Sequence, residues 1–113
     1  MVIDLKTALS HLPLPATPAW PEGVWDKTVF EHGTMPVIVF TPRGHDYQTI
    51  HSQDKLYIVV RGSGTLMIAD LPHPFGEGDV LFVSAETEHR FVDFTEDLIT
   101  WAIFWGPFGG ECA

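Results

Sequence analysis

A chain of 113 residues, 45% of them hydrophobic, is long enough to bury one ordinary core and too short for two, so a single domain over residues 1–113 is expected. Six Lys and Arg against fifteen Asp and Glu, a formal net charge of -9, exclude a nucleic-acid partner, because polyanion binding runs on clustered cations that release counterions. No stretch approaches the roughly 18 apolar residues of a membrane span, and the opening MVIDLKTALS lacks a signal peptide's basic-then-apolar order, so the reading is a cytoplasmic protein with no membrane partner.

In chain order, Asp4 is placed to cap a short helix through Thr7 and Leu9 that ends before Pro13. The proline-rich stretch from Leu12 to Pro21 then reads as an extended arm, residues 1–23 forming helix and arm together. Apolar surface on Leu12 to Trp20 would be poorly buried by a lone barrel, so a homodimer is expected in which the arm covers the neighbour. After the arm, β-branched and aromatic runs dominate: Val24 to Glu31, Pro36 to Phe40, Leu56 to Val60, Thr65 to Ala69, Val80 to Val83, His89 to Phe94 and Ile99 to Trp105. Turn markers separate them at His32-Gly33, Pro42-Arg43-Gly44, Gly62-Ser63-Gly64 and Gly76-Glu77-Gly78. Short strands at this spacing predict an all-β sandwich or barrel of Greek-key connection. Trp101, Phe104 and Trp105 read as core rather than as a ligand platform, and periodicity alone does not say which of them points inward. The lone Cys112 has no intrachain partner, which excludes a disulfide framework or a cysteine-based zinc site.

Two segments echo one another, Gln48 to Gly62 and Gly78 to Asp93, each joining an apolar run to turn residues and one histidine. Two imidazoles, His51 and His89, are therefore expected to converge in one pocket. His11, His32, His45 and His73 lie beside Pro, Gly or Asp and are read as solvated loop residues. The acidic group Glu86, Glu88, Asp93, Glu96 and Asp97 reads as a solvated face. If the strand stays regular, residues 49, 51, 53 and 55 share one side, which would turn Lys55 and Gln53 toward the same cavity as His51.

At these residues the chain resembles the cupin superfamily. Gly78, Ser84, Glu86, His89 and Asp93 stand at the glycine, proline, glycine, histidine and asparagine positions of that family's second motif. Counting back from Gly62-Ser63-Gly64 puts Lys55 at the first motif's glutamate, His51 at its second histidine and Thr49 at its first. The resemblance covers residues 35–106 or so and implies a single cupin barrel, of the RmlC-like jelly-roll type. It also implies one divalent ion, Zn, Mn, Fe or Ni, held by three histidines and a glutamate, of which this chain keeps two.

A protonated lysine has no lone pair and repels a divalent cation, so Lys55 argues against that coordination sphere. Three arrangements stay open: a metal on His51 and His89 completed by Gln53, Gln48 or Asp46; Lys55 swung out toward Glu88 or Asp54; or a metal-free barrel cradling an anion. An alternative register pairs His51 with Gln53 and sets Tyr57 at the glutamate. The catalytic candidates are His51, Lys55 and His89, and the metal candidates His51, His89 and Gln53.

The chain is also similar to small cupins of polyketide synthesis of the tetracenomycin type. That implies a cyclase, oxygenase or isomerase acting on an aromatic or enolisable substrate through an oxyanion. The competing class is a non-catalytic module that captures a small apolar anion. No Gly-x-Ser-x-Gly elbow is present, which disfavours nucleophilic hydrolysis.

Overall fold

A computed structural model describes residues 1–112. It contains one helix, α1 (Leu5–Ser10), and eight strands: β1 (Asp26–His32), β2 (Met35–Phe40), β3 (Asp54–Arg61), β4 (Gly64–Ile68), β5 (Leu71–Phe75), β6 (Val80–Val83), β7 (His89–Val92) and β8 (Ile99–Trp105). Asp4 caps α1 as its sequence predicts, its carboxylate accepting from the Thr7 amide at 2.9 Å. All pairings are antiparallel, in a five-stranded sheet of order β1-β2-β8-β3-β6 and a three-stranded sheet of order β5-β4-β7.

The sheets close over one core. Strand alternation sends Lys55, Tyr57 and Val59 inward from β3, where Tyr57 and Val59 join Phe40, Leu66, Phe91 and Ala102. The same alternation turns Leu56, Ile58 and Val60 to the outer face. On β8 the register settles which of the three aromatics points in: Phe104 does, beside Ala102, while Trp101 and Trp105 are half-buried on the outer face. β7 stops at Val92 because Asp93 turns to a φ of 51°, outside the strand region.

Strand β5 was not anticipated, because Leu71-Pro72-His73-Pro74-Phe75 reads as a breaker. It forms at a sheet edge, where only one side must donate. A two-residue turn at Ala69 and Asp70, both at positive φ, joins it to β4 with Ile68 opposite Leu71. Leu71, His73 and Phe75 therefore share the hydrogen-bonding side toward β4, and Pro72 and Pro74 carry their missing N–H groups on the outer side. His73 thus lies in a strand and His32 ends one, yet both are exposed, as are His11 and His45.

The arm folds back on its own barrel. Leu14 and Val24 exchange backbone hydrogen bonds at 2.7 and 3.0 Å, and Trp20 packs edge-on against Phe40 and Tyr47 at 6.1 and 5.5 Å between centroids. Its apolar surface is covered in part by its own chain.

The Gly62-Ser63-Gly64 turn passes beneath the segment from Phe94 to Leu98. A Cβ on Gly62, whose φ is +91°, would lie 2.6 Å from Thr95 Oγ1 and 2.8 Å from Leu98 Cα; one on Gly64 would lie 2.8 Å from Phe94 Cα. Backbone cannot retreat as a side-chain tip can. Gly62→Ala should therefore cost about 2–4 kcal/mol in urea unfolding, combining overpacking with a disfavoured φ. Gly33→Ala, also at positive φ but with nothing within 4 Å of its Cβ, should lose only about 1 kcal/mol. Equal losses would show that conformation, not the close approach, demands Gly62.

Candidate functional site

Lys55 is the group around which the site is built. Its side chain is 3% exposed, and Nζ donates to Gln48 Oε1 at 2.9 Å and lies 3.4 Å from His89 Nε2. The amine also sits over two aromatic faces, 4.3 Å from the Tyr57 ring and 4.7 Å from that of Phe104. It is not a surface lysine. Nor does it swing toward Glu88, which is exposed, or toward Asp54, whose oxygens accept from the Ala85 and Glu111 amides.

Its partners are fixed from behind. His89 Nδ1 lies 2.9 Å from the Thr87 carbonyl, which can only accept, so Nδ1 carries the proton and Nε2 offers its lone pair to Lys55. Gln48 is oriented by Asp46, which is 2% exposed and takes the Gln48 backbone and side-chain N–H groups as well as the Phe91 amide at 2.9 Å. With its nitrogen committed to Asp46, the Gln48 amide must turn its oxygen toward Lys55 and toward the Tyr57 hydroxyl, which donates at 2.8 Å.

Beside this network is a cavity of about 200 Å³. Trp20, Ile38, Phe40 and Phe104 form its apolar walls; Asp26, Gln48, His51 and Lys55 supply the polar groups. The His51 ring meets the Phe104 edge at 4.8 Å and lies 5.8 Å from the His89 ring. His89 stands behind Lys55 and borders a separate depression with Thr49, Ile50 and Arg90. The two candidate histidines do come together, the lysine touching His89 and sharing the cavity with His51.

Gln53 does not join them. Its amide nitrogen donates to the Thr34 and Gly106 carbonyls at 2.8 and 2.9 Å, on the far side of the strand start. The expected alternation from 49 to 55 fails because Asp46 pulls the Gln48 amide into a local turn, and β3 begins only at Asp54. Asp26 was missed altogether. A single aspartate at the end of the arm carries no pattern, and only the β1–β2 register reveals which way it points.

Burial sets the charge states. The Lys55 amine is lowered from 10.5 to about 7, first by burial, with Asp46 and Asp26 pushing back. His51 falls to about 4 through burial and the charges of Lys55 and His89. His89 is lowered by burial and by Lys55, against the Thr87 bond. Burial raises Asp26 and holds the Tyr57 hydroxyl well above its ordinary value. Near neutrality the histidines are uncharged and Lys55 is divided between its two forms.

The model of the Cupin domain family matches residues 36–103. The chain belongs to the cupin family. An uncharacterised protein of Streptomyces coelicolor is 32% identical over 62 residues, 55% of this cupin, and the match spans 59% of that protein's length. A Neisseria meningitidis protein superposes with a TM-score of 0.69 at 19% identity, over 94% of this chain and 100% of its own. A cupin-2 domain protein from Shewanella frigidimarina gives 0.69 at 15% identity, over 93% and 95%. At these identities the two structures speak for the jelly-roll fold alone.

The residues of this cupin do not fit the family's usual divalent ion. Among the described residues no three His, Cys, Asp or Glu side chains are grouped to share one. Lys55 sets an amine beside both histidines, the Asp46 oxygens already take three N–H groups, and the Gln48 oxygen takes two donors. The alternative set of His51, Gln53 and Tyr57 fails because Gln53 lies elsewhere and Tyr57 is fully buried.

Proposed function

We propose that this cupin binds a small apolar carboxylate or enolate without a metal ion, the Lys55 ammonium holding the oxyanion. One observation carries the reading. A protonated amine has three N–H donors; Gln48 Oε1 and His89 Nε2 account for two, and a third is left for a cavity ligand. Apolar and aromatic walls favour the rest of such a molecule and weaken competition from water. A cavity of about 150 Å³ suffices for benzene, so 200 Å³ suits one substituted ring rather than a fused polycycle. Of a polyketide-like substrate, only a terminal ring would be enclosed.

The uncharged His51 favours a catalytic version of the same reading. An imidazole with a free lone pair on the cavity wall can take an α-proton while the Lys55 ammonium holds the enolate oxygen and then gives it a proton, which amounts to keto–enol isomerisation once His51 loses its proton and Lys55 regains one from solvent. Without an acidic C–H in the ligand, the site is a binding module.

Calorimetry with benzoate and neutral benzamide tests the anion reading. Near pH 7 benzoate should bind more tightly and take up a fraction of a proton, seen as a buffer-dependent enthalpy, because an anion draws Lys55 into its charged form. Zn or Mn ions should leave the melting temperature where they leave it in a His51→Ala, His89→Ala variant. Equal affinity for both probes would overturn the anion reading, and a metal-induced stabilisation lost in the double variant would overturn the metal-free one.

A further inference from the structure

The anion reading accounts for Lys55 and His51 but leaves one charged cavity group unused, Asp26. It is the first residue of β1 and stands opposite Phe40 in the β1–β2 register, so both side chains share the inner face. Phe40 is 5% exposed in the core, and Asp26 is half-buried on the same side, at the cavity wall beside Trp20.

The two more deeply buried carboxylates are satisfied. Asp46 accepts three N–H groups and Asp54 two. Asp26, among the described residues, accepts none. It makes no ion pair with Lys55 either, although the two line one cavity and each influences the other's ionisation. β2 and β8 lie between their strands in the sheet, so the two groups stand apart along it. A half-buried carboxylate turned inward from a strand without a protein donor keeps only part of its hydration, and no neighbouring group replaces the rest.

We infer that Asp26 is a specificity-determining residue of this pocket, and that the ligand is a bifunctional ring with an acidic group toward Lys55 and a hydroxyl donor toward Asp26. The inference rests on the anion-binding reading above. An O–H donated to a carboxylate is among the stronger neutral-to-charged hydrogen bonds. Acceptor-only substituents such as a methoxy group meet the carboxylate's lone pairs and are rejected, since both sides then lose water without replacing it. The separated charges thus select a hydroxylated aromatic acid over the plain acid and over its ether.

The test is a calorimetric series on the intact protein with benzoate, 3- and 4-hydroxybenzoate and the matching methoxybenzoates. One hydroxy isomer should bind about tenfold or more tighter than benzoate, and its methoxy counterpart no better than benzoate. In Asp26→Ala the ratio of hydroxybenzoate to benzoate affinity should fall toward one. Asp26→Asn, which keeps an acceptor oxygen but loses the charge, should give an intermediate ratio and serves if the alanine variant does not fold. If benzoate binds but neither hydroxy isomer gains, or the gain survives both substitutions, the role of Asp26 is refuted and the anion reading stands. Failure of every acid in the series to bind would instead bring down the anion reading, and this inference with it.

Discussion

Lys55→Met should stabilise the folded barrel at pH 7 and below while weakening benzoate by roughly ten- to a hundredfold. A buried amine held at about 7, against an ordinary 10.5, is one whose charged form the fold disfavours. Below about pH 7 the folded and unfolded chains are both protonated and the penalty is present in full. Between about 7 and 10.5 the unfolded chain binds the extra proton, so wild-type stability rises with pH across that window. Methionine keeps most of the volume without the charge, and replacing buried ionic groups by packed apolar ones gains about 1–4 kcal/mol.

The variant should therefore be more stable at neutral pH and should lose the rise that wild type shows from pH 7 to about 9.5. Tyr57 does not enter that range, since burial raises its ionisation from an ordinary value of 10. His51 and His89, both lowered, should still make stability increase with pH between about 4 and 6.5 in either protein. The affinity loss corresponds to one charged hydrogen bond, about 1.5–3 kcal/mol. Urea unfolding against pH, with calorimetry at one pH, reads both effects. A variant less stable than wild type at every pH would mean that the amine's bonds to Gln48 and His89 outweigh its desolvation.

Asp46→Ala should be the most damaging single change in the site, costing about 3–5 kcal/mol. Removing the carboxylate strands the Phe91 amide between the sheets without an acceptor and releases the Gln48 amide that positions Lys55. It also removes the stronger of the two charges that favour the protonated amine. Asp46→Asn should lose less, because one oxygen remains for an amide donor. Ligand binding should fall in both variants even where they stay folded, as Gln48 rotates. A loss below about 1 kcal/mol on Asp46→Ala, measured by urea unfolding, would contradict a structural role for this carboxylate.

How far such features are legible in a chain depends on whether they are local. Leu56–Val60, Val80–Val83 and Ile99–Trp105 are unambiguous strands because β-branched and aromatic residues crowd a pleated surface. The glycine turn at 62–64 is equally plain, and counting from it puts Lys55 at the glutamate position, which lies against His89 and on the same cavity as His51. Gln53 was misplaced because alternation was carried upstream past the strand start, through a turn set by a buried aspartate. β5 was hidden by its prolines, whose tolerance depends on being at an edge, a fact of topology rather than of the pentapeptide. Asp26 acquires its place only from Phe40, distant along the chain, and Asp46 adds to its local bonds with Gln48 one to Phe91 that no local pattern announces.

The outward prolines of β5 have a further consequence at high protein concentration. A sheet edge recruits foreign strands, and in time fibrils, by offering a row of free N–H groups as a template. On β5 the outward N–H positions are those of Pro72 and Pro74, so that rim offers no donor along the strand. Chains crowded together during synthesis or storage therefore meet only half a ladder at this edge of the smaller sheet, which should disfavour polymerisation there even though Leu71 is 64% exposed.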